Sequence, residues 1–185
     1  YFLGQSLLLI GKHVEAEKAL DGGLKALPKV PAGPKEKILH GELERSLKIS
    51  RLKALVHQKK WAEVVKQSDD LKGNAADNTL QVSFYGALAR FELREFHEAI
   101  TLLKALKPDV KGTLHQQQTC FLLAESYREL GKLPEALAEY ECAFKSPGPF
   151  VGQALYRLGI THYQQGNSDE AVHFLSELCR ENGVK

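Results

Sequence analysis

Two series of residues run through the chain in step. Ala16, Val64, Ala99, Ala136 and Ala171 form one, and Gly4, Leu52, Ala87, Ala124 and Gly159 form the other; both advance by 48, 35, 37 and 35 positions. Two independent markers keeping one register define an internal repeat, and a repeat changes the meaning of every local motif inside it. Most of these residues are small. Two helices approach closely only where both present small side chains at the crossing, because larger ones push the axes apart. Around each marker, apolar residues recur at helical spacing, as in Ala99, Leu102, Leu103 and Leu106 or Leu133, Ala136, Leu137 and Tyr140. The pattern therefore predicts pairs of short amphipathic helices. Each pair leaves one apolar face that the next pair covers, so such units stack and do not fold alone.

One unit is unusually complete. Leu123, Ala124, Tyr127, Leu130, Gly131, Leu133, Ala136, Tyr140 and Ala143 trace two helices with a glycine turn between them, and Leu158, Gly159, Tyr163, Gly166, Ala171 and Leu175 repeat the arrangement 35 positions on. This resembles the tetratricopeptide repeat family, whose pattern of leucine, glycine, tyrosine, alanine, aromatic and proline positions over about 34 residues is visible in residues 117–150. The resemblance implies an all-α, right-handed superhelical solenoid of antiparallel helix hairpins. It covers nearly the whole chain as a single domain of 1–185, with repeats at about 1–28 (truncated), 45–79, 80–116, 117–150 and 152–185. Another helical-hairpin solenoid of similar period is the rival reading.

The repeat at 45–79 departs from the pattern. Leu52 and Val64 occupy both small positions, and Lys59 sits where a turn glycine is expected. About 14 extra residues precede it, including Pro28, Pro31, Gly33 and Pro34, which cannot lie inside a helix. A proline-rich loop at 28–34 followed by a long helix from about Lys35 to Gln58 is expected. Asp77 and Ser168 read as N-caps, and Pro134 and Pro149 as first-turn residues.

Composition narrows the function. Of 185 residues, 43% are apolar, enough for a substantial core, and the net charge of +2 argues against a general polyanion binder. Charge is polarised, +5 over residues 1–72 and −3 over 73–185. Apolar runs such as Leu7 to Ile10 are far shorter than the roughly 20 residues of a membrane-spanning helix, so no membrane insertion is expected. The chain lacks methionine and begins at Tyr1, and reads as a fragment or processed product of a longer protein. Cys120, Cys142 and Cys179 show no C-x-x-C spacing and read as free, packed thiols. That favours a reducing compartment mildly; a cytoplasmic or a bacterial periplasmic location both fit.

No catalytic constellation survives inspection. His97, Glu98 and Thr101 begin like the helical zinc-protease motif, but threonine stands where the second histidine ligand is required. Gly4, Gly11 and Lys12 resemble a phosphate loop with the wrong spacing, and His13 replaces its hydroxyl residue. The seven histidines never pair at i, i+4. No enzyme activity, metal, cofactor or small-molecule substrate is expected.

The family resemblance implies instead a protein-interaction scaffold or adaptor, with the first helix of each hairpin lining a concave groove. The groove positions are then Ile49, Lys53 and Val56; Phe84, Leu88 and Phe91; Phe121, Glu125 and Arg128; and Tyr156, Ile160 and Tyr163. Phe84 with Phe91, and Tyr156 with Tyr163, are seven residues apart and point the same way. From these, Lys53, Phe84, Leu88, Phe91, Phe121, Arg128, Tyr156 and Tyr163 are the expected contacts to a protein or peptide segment. The competing reading places the aromatics in the packed core. A lysine-asparagine carboxylate clamp is not matched, since Phe84, Leu88, Phe121 and Glu125 stand in its positions; Arg128 and Arg157 remain as anion contacts, although Glu125 and Glu129 can pair with Arg128 along the same helix. The alternative function is nucleic-acid binding by the basic first half, through Arg45, Lys48, Arg51, Lys53, Lys59 and Lys60, with Trp61 to stack on a base.

Overall fold

The computed structural model describes residues 1–27, 33–72, 80–113 and 115–181. These form helices α1 (Phe2–Leu9), α2 (His13–Ala26), α3 (Pro34–His57), α4 (Trp61–Lys72), α5 (Leu80–Glu92), α6 (Phe96–Val110), α7 (His115–Glu129), α8 (Leu133–Lys145), α9 (Val151–Gln164) and α10 (Ser168–Glu181). No strand occurs among the described residues. The architecture is all-α, built of antiparallel helix hairpins. The long helix expected after the prolines is α3, with Pro34 in its first turn. Most of the loop at 28–34, and Asp77, lie outside the described residues.

Contacts group the chain into two compact units, Tyr1–Ala89 and Arg90–Lys185, divided within α5. In the first, α1 packs on α2, α2 on α3 and α3 on α4. Leu52, Leu55, Val64, Leu71, Val82 and Ala89 form its core, with Trp61 and Tyr85 packed against them. In the second, α6 packs on α7, α7 on α8, α8 on α9 and α9 on α10. Leu103, Leu123, Tyr140, Leu155 and Leu158 are fully buried there.

Both marker series behave as crossing points. All five residues of the first are buried, as are all five of the second. At Gly159 the reason is direct: a Cβ there would stand 2.5 Å from Leu175 Cγ and 3.4 Å from the Ala171 carbonyl.

Five turns share one backbone design. In each, an amide donates across the helix end to a carbonyl five residues back: Lys12 to Leu7, Lys60 to Leu55, Glu95 to Arg90, Lys132 to Tyr127 and Asn167 to His162, at 2.8–3.0 Å. This closure needs a left-handed residue just past the helix. Gly11, Gly131 and Gly166 supply it at φ 77°, 71° and 81°, whereas Lys59 and Arg94 adopt it at φ 57° and 63°. A side chain in that region costs about 1–2 kcal/mol, and glycine returns about 0.5–1 kcal/mol of that as unfolded-state entropy. Lys59→Gly and Arg94→Gly are therefore each expected to raise stability by about 0.5–1 kcal/mol, read as a higher denaturant midpoint. Unchanged or lower midpoints would mean that the strain is not there.

Three local expectations need correction. Ser168 is the first residue of α10 and Asn167 precedes it, its carbonyl accepting from Ala171 N–H at 3.1 Å. Pro149 lies outside α9, which is preceded by Phe150, because the segment 146–150 is held as a turn by a buried side chain described below. Cys120 and Cys142 are not free: their sulfurs are bonded at 2.13 Å, with Cα atoms 5.9 Å apart, linking α7 to α8. A cross-link spanning 22 residues removes about 3 kcal/mol of unfolded-chain entropy. Cys179 is free and exposed.

Candidate partner-binding site

In the second unit, α7 and α9 flank a cleft of about 510 Å³ lined by Phe121, Pro149, Gly152, Gln153, Tyr156 and Arg157, with Leu178 of α10 at its edge. Phe121 is half-buried and forms part of the floor, its ring 5.2 Å from Phe150 and 5.8 Å from Tyr140. Tyr156 is 48% exposed, and Tyr163, two turns further along α9, is 70% exposed.

Beside Phe121 the turn from α8 to α9 is latched by Gln117, which is 1% exposed. Its amide donates to the carbonyls of Ala143 (3.1 Å) and Ser146 (2.9 Å), and its oxygen accepts from Phe150 N–H at 2.9 Å. This one side chain replaces helix-end partners that the turn would otherwise lack.

One turn along α7 from Phe121 lies Glu125, buried although charged. Its Oε1 accepts from the Tyr140 hydroxyl at 2.5 Å and pairs with Arg157 Nε at 2.8 Å, while Oε2 accepts from Arg128 at 3.1 Å. Arg128 also pairs with Glu129 at 2.5 Å. Burial and then the bond to Glu125 push the Tyr140 phenol far above its ordinary value, so it stays a protonated donor. The two arginines anticipated as anion contacts thus share an internal carboxylate.

The other expected contacts distribute as follows. Phe91 is half-buried and packs edge-on against Phe96 at 5.6 Å. In the first unit Lys53, Phe84 and Leu88 are each half-buried. Phe84 stands 6.2 Å from the Tyr85 ring. Ile160 is half-buried on α9.

The basic first half is neutralised in part by its own carboxylates. Arg51 pairs with Asp21 at 2.5 Å and approaches Glu17 and Glu63 at 3.6 and 3.8 Å; Lys60 pairs with Glu17 at 2.8 Å and Lys48 with Glu44 at 2.6 Å. Burial alone would raise the Glu17 carboxyl, but donation by Lys60 and Gln58 and the Arg51 charge outweigh it and hold the carboxyl below its usual value. Three of the six cations that a nucleic-acid surface would need are thus already committed to carboxylates.

His13 and His57 stack across α2 and α3, rings 4.3 Å apart and nearly parallel. Burial, then His13 and Lys53, hold the His57 imidazole below its ordinary value. The unfolded chain therefore takes up this proton first as pH falls. The contribution to stability is complete above the ordinary histidine pKa of about 6.5 and is lost as pH drops below it. Melts at mildly acidic and neutral pH are expected to show the loss, and His57→Gln to reduce it; a variant with an unchanged pH slope would remove His57 from the account.

Cys120, Glu139 and Cys142 bring potential ligand atoms within 4.8 Å of one another, but the two sulfurs are bonded together and offer no thiolate. No helix of the described residues is long and apolar enough to cross a membrane.

Residues 121–183 match the family model described as Tetratricopeptide repeat, in keeping with the hairpin architecture above. Among solved structures it is similar to MamA, residues 41 to the end, from Desulfovibrio magneticus RS-1: TM-score 0.77, 16% identity, covering 99% of this chain and 93% of that one. A further crystal structure of MamA gives TM-score 0.75 at 18% identity over 97% and 94% of the two chains. A tetratricopeptide repeat protein from Parabacteroides merdae ATCC 43184 gives 0.69 at 19% identity, over 97% of this chain and 64% of that one. At these identities the likeness is one of fold. No curated protein matches the chain.

Proposed function

We propose that this chain is a non-catalytic interaction scaffold that holds an extended or amphipathic segment of a partner protein on the aromatic face of α7 and α9. The observation that carries the reading is the pair of exposed tyrosines, Tyr156 and Tyr163, beginning at a cleft whose floor is Phe121. Seven residues of helix rise about 10 Å, the length of about three residues of extended chain, so the two rings suit side chains on one face of a bound strand or successive turns of a bound helix. Tyrosines of this kind give area and one hydrogen bond at low entropy cost, as interface anchors do. Lys53, Phe84 and Leu88, in the first unit, and Phe91 form no part of this site.

Peptides selected from a random library on the intact chain provide the test. Tyr156→Ala with Tyr163→Ala is expected to weaken the selected peptides at least about tenfold, while stability stays within about 0.5 kcal/mol because both rings are exposed. Binding that is indifferent to the double variant would sink the proposal.

A further inference from the structure

Behind the Cys120–Cys142 bond lies a second cleft, of about 430 Å³, lined by Lys104, Lys107, Pro108, Lys111, Gln116 and Cys142. The two cysteines are not equivalent. Cys120 is fully buried in the cluster with Ala143 and Ala154, whereas Cys142 is half-buried and opens into the cleft. Lys107 is neutralised by both oxygens of Glu139, at 2.7 and 2.6 Å. Lys104 lies over the Tyr127 ring at 5.5 Å and Lys111 is exposed. The three lysines face Glu139 and, beside Lys104, Glu135, which leaves one net positive charge at the approach to the outer sulfur.

We propose that Cys142 is the entry point of a reversible thiol–disulfide exchange site, that the lysine-lined cleft admits a small anionic thiol or disulfide of the glutathione type, and that Cys120 is the resolving residue. In the oxidising direction the Cys142 thiolate attacks one sulfur of the disulfide RSSR. A mixed disulfide forms and one RS⁻ leaves. The Cys120 thiol gives up its proton, attacks the Cys142 sulfur, and expels the second RS⁻. The protein loses two electrons and two protons, and these leave as two RSH; reduction runs the same steps backwards. The attacking sulfur must be a thiolate, and neighbouring cations favour that form and raise the local concentration of an anionic reagent. Cys120, sealed in the core, meets only Cys142.

The test uses the full chain with Cys179→Ser, so that the exposed third thiol does not report. Reduced protein is given either oxidised glutathione or the neutral bis(2-hydroxyethyl) disulfide, and products are followed by mass. Added Cys120→Ser is expected to accumulate one glutathione on Cys142, and added Cys142→Ser to accumulate none. Lys104→Glu with Lys111→Glu is expected to slow the glutathione reaction about tenfold and leave the neutral reagent unchanged. Lys111→Gln alone, on an exposed side chain, gives the same direction more weakly should the double variant fold poorly. Adducts on Cys120, equal slowing of both reagents, or a native bond that reduced glutathione does not open would each overturn the proposal. The last result would leave a purely structural cross-link.

Discussion

Glu125→Leu is expected to cost the second unit about 3–5 kcal/mol, the range found when one partner of a buried ion pair is removed. The carboxylate is the shared acceptor for Tyr140, Arg128 and Arg157, with a side chain only 10% exposed. Without it the Tyr140 hydroxyl, on a fully buried ring, has lost its acceptor. The two arginine side chains are 30% and 35% exposed and recover some hydration, so the result should fall in the lower half of the range. Glu125→Gln keeps the shape and one acceptor oxygen and should cost about half as much. Tyr140→Phe removes one hydrogen bond to a charged group and should cost about 1.5–3 kcal/mol. The measurement is chemical denaturation monitored by helical signal. If Glu125→Leu were neutral or stabilising, desolvation of the charge would outweigh its bonds, as it does in some buried pairs.

That residue also marks where the sequence stops being readable. The repeat register placed Glu125 on the face opposite the Ala124 crossing, and placed all ten marker positions correctly in the interior. What the register lacked was any measure of how far neighbouring helices reach that face: α8 of the same hairpin supplies Tyr140 and α9 of the next supplies Arg157, 15 and 32 residues away. The same blindness hid the stack of His13 on His57, since a search confined to one helix cannot see across two. The disulfide was missed for a subtler reason. Cys120 lies about one turn before Ala124 and Cys142 six residues after Ala136. In antiparallel helices that cross at those alanines, both displacements run in the same spatial direction, so the register held the similar level of the two cysteines along the helices but not their facing. The search for C-x-x-C spacing did not use it. Lys59 was readable as a turn residue because a glycine was visibly missing, and Arg94 was not, although it occupies the same position one repeat on.

Phe121 and Phe91 illustrate the limit for the binding face itself. A period of 3.6 says that a side chain lies on a given side of its helix, but not whether a neighbouring ring already covers it. Phe121 has Phe150 at 5.2 Å and Phe91 has Phe96 at 5.6 Å. Substituting either conflates packing with recognition, which is why the exposed Tyr156 and Tyr163 make the cleaner probes.

Gly148→Ala should be the most damaging single-methyl change in the second unit, at about 3–5 kcal/mol. Two independent costs meet at this position. Its φ of 150° is a conformation that side chains rarely adopt, worth about 1–3 kcal/mol when forced. A Cβ built there would also stand 2.1 Å from Gln117 Oε1 and 2.9 Å from Gln117 Cδ. Gln117 is 1% exposed and cannot swing into solvent, so the methyl has to displace the amide that holds Ala143, Ser146 and Phe150. Each buried partner left unmatched adds about 1–3 kcal/mol. Gln117→Ala offers the control: it removes the clash together with the latch. Gly148→Ala added to Gln117→Ala should then cost only the backbone strain, and the double variant should be markedly less destabilised than the sum of the singles. Strict additivity in that cycle would mean that the glycine and the glutamine act separately, and that the turn between α8 and α9 is held by something other than their close approach.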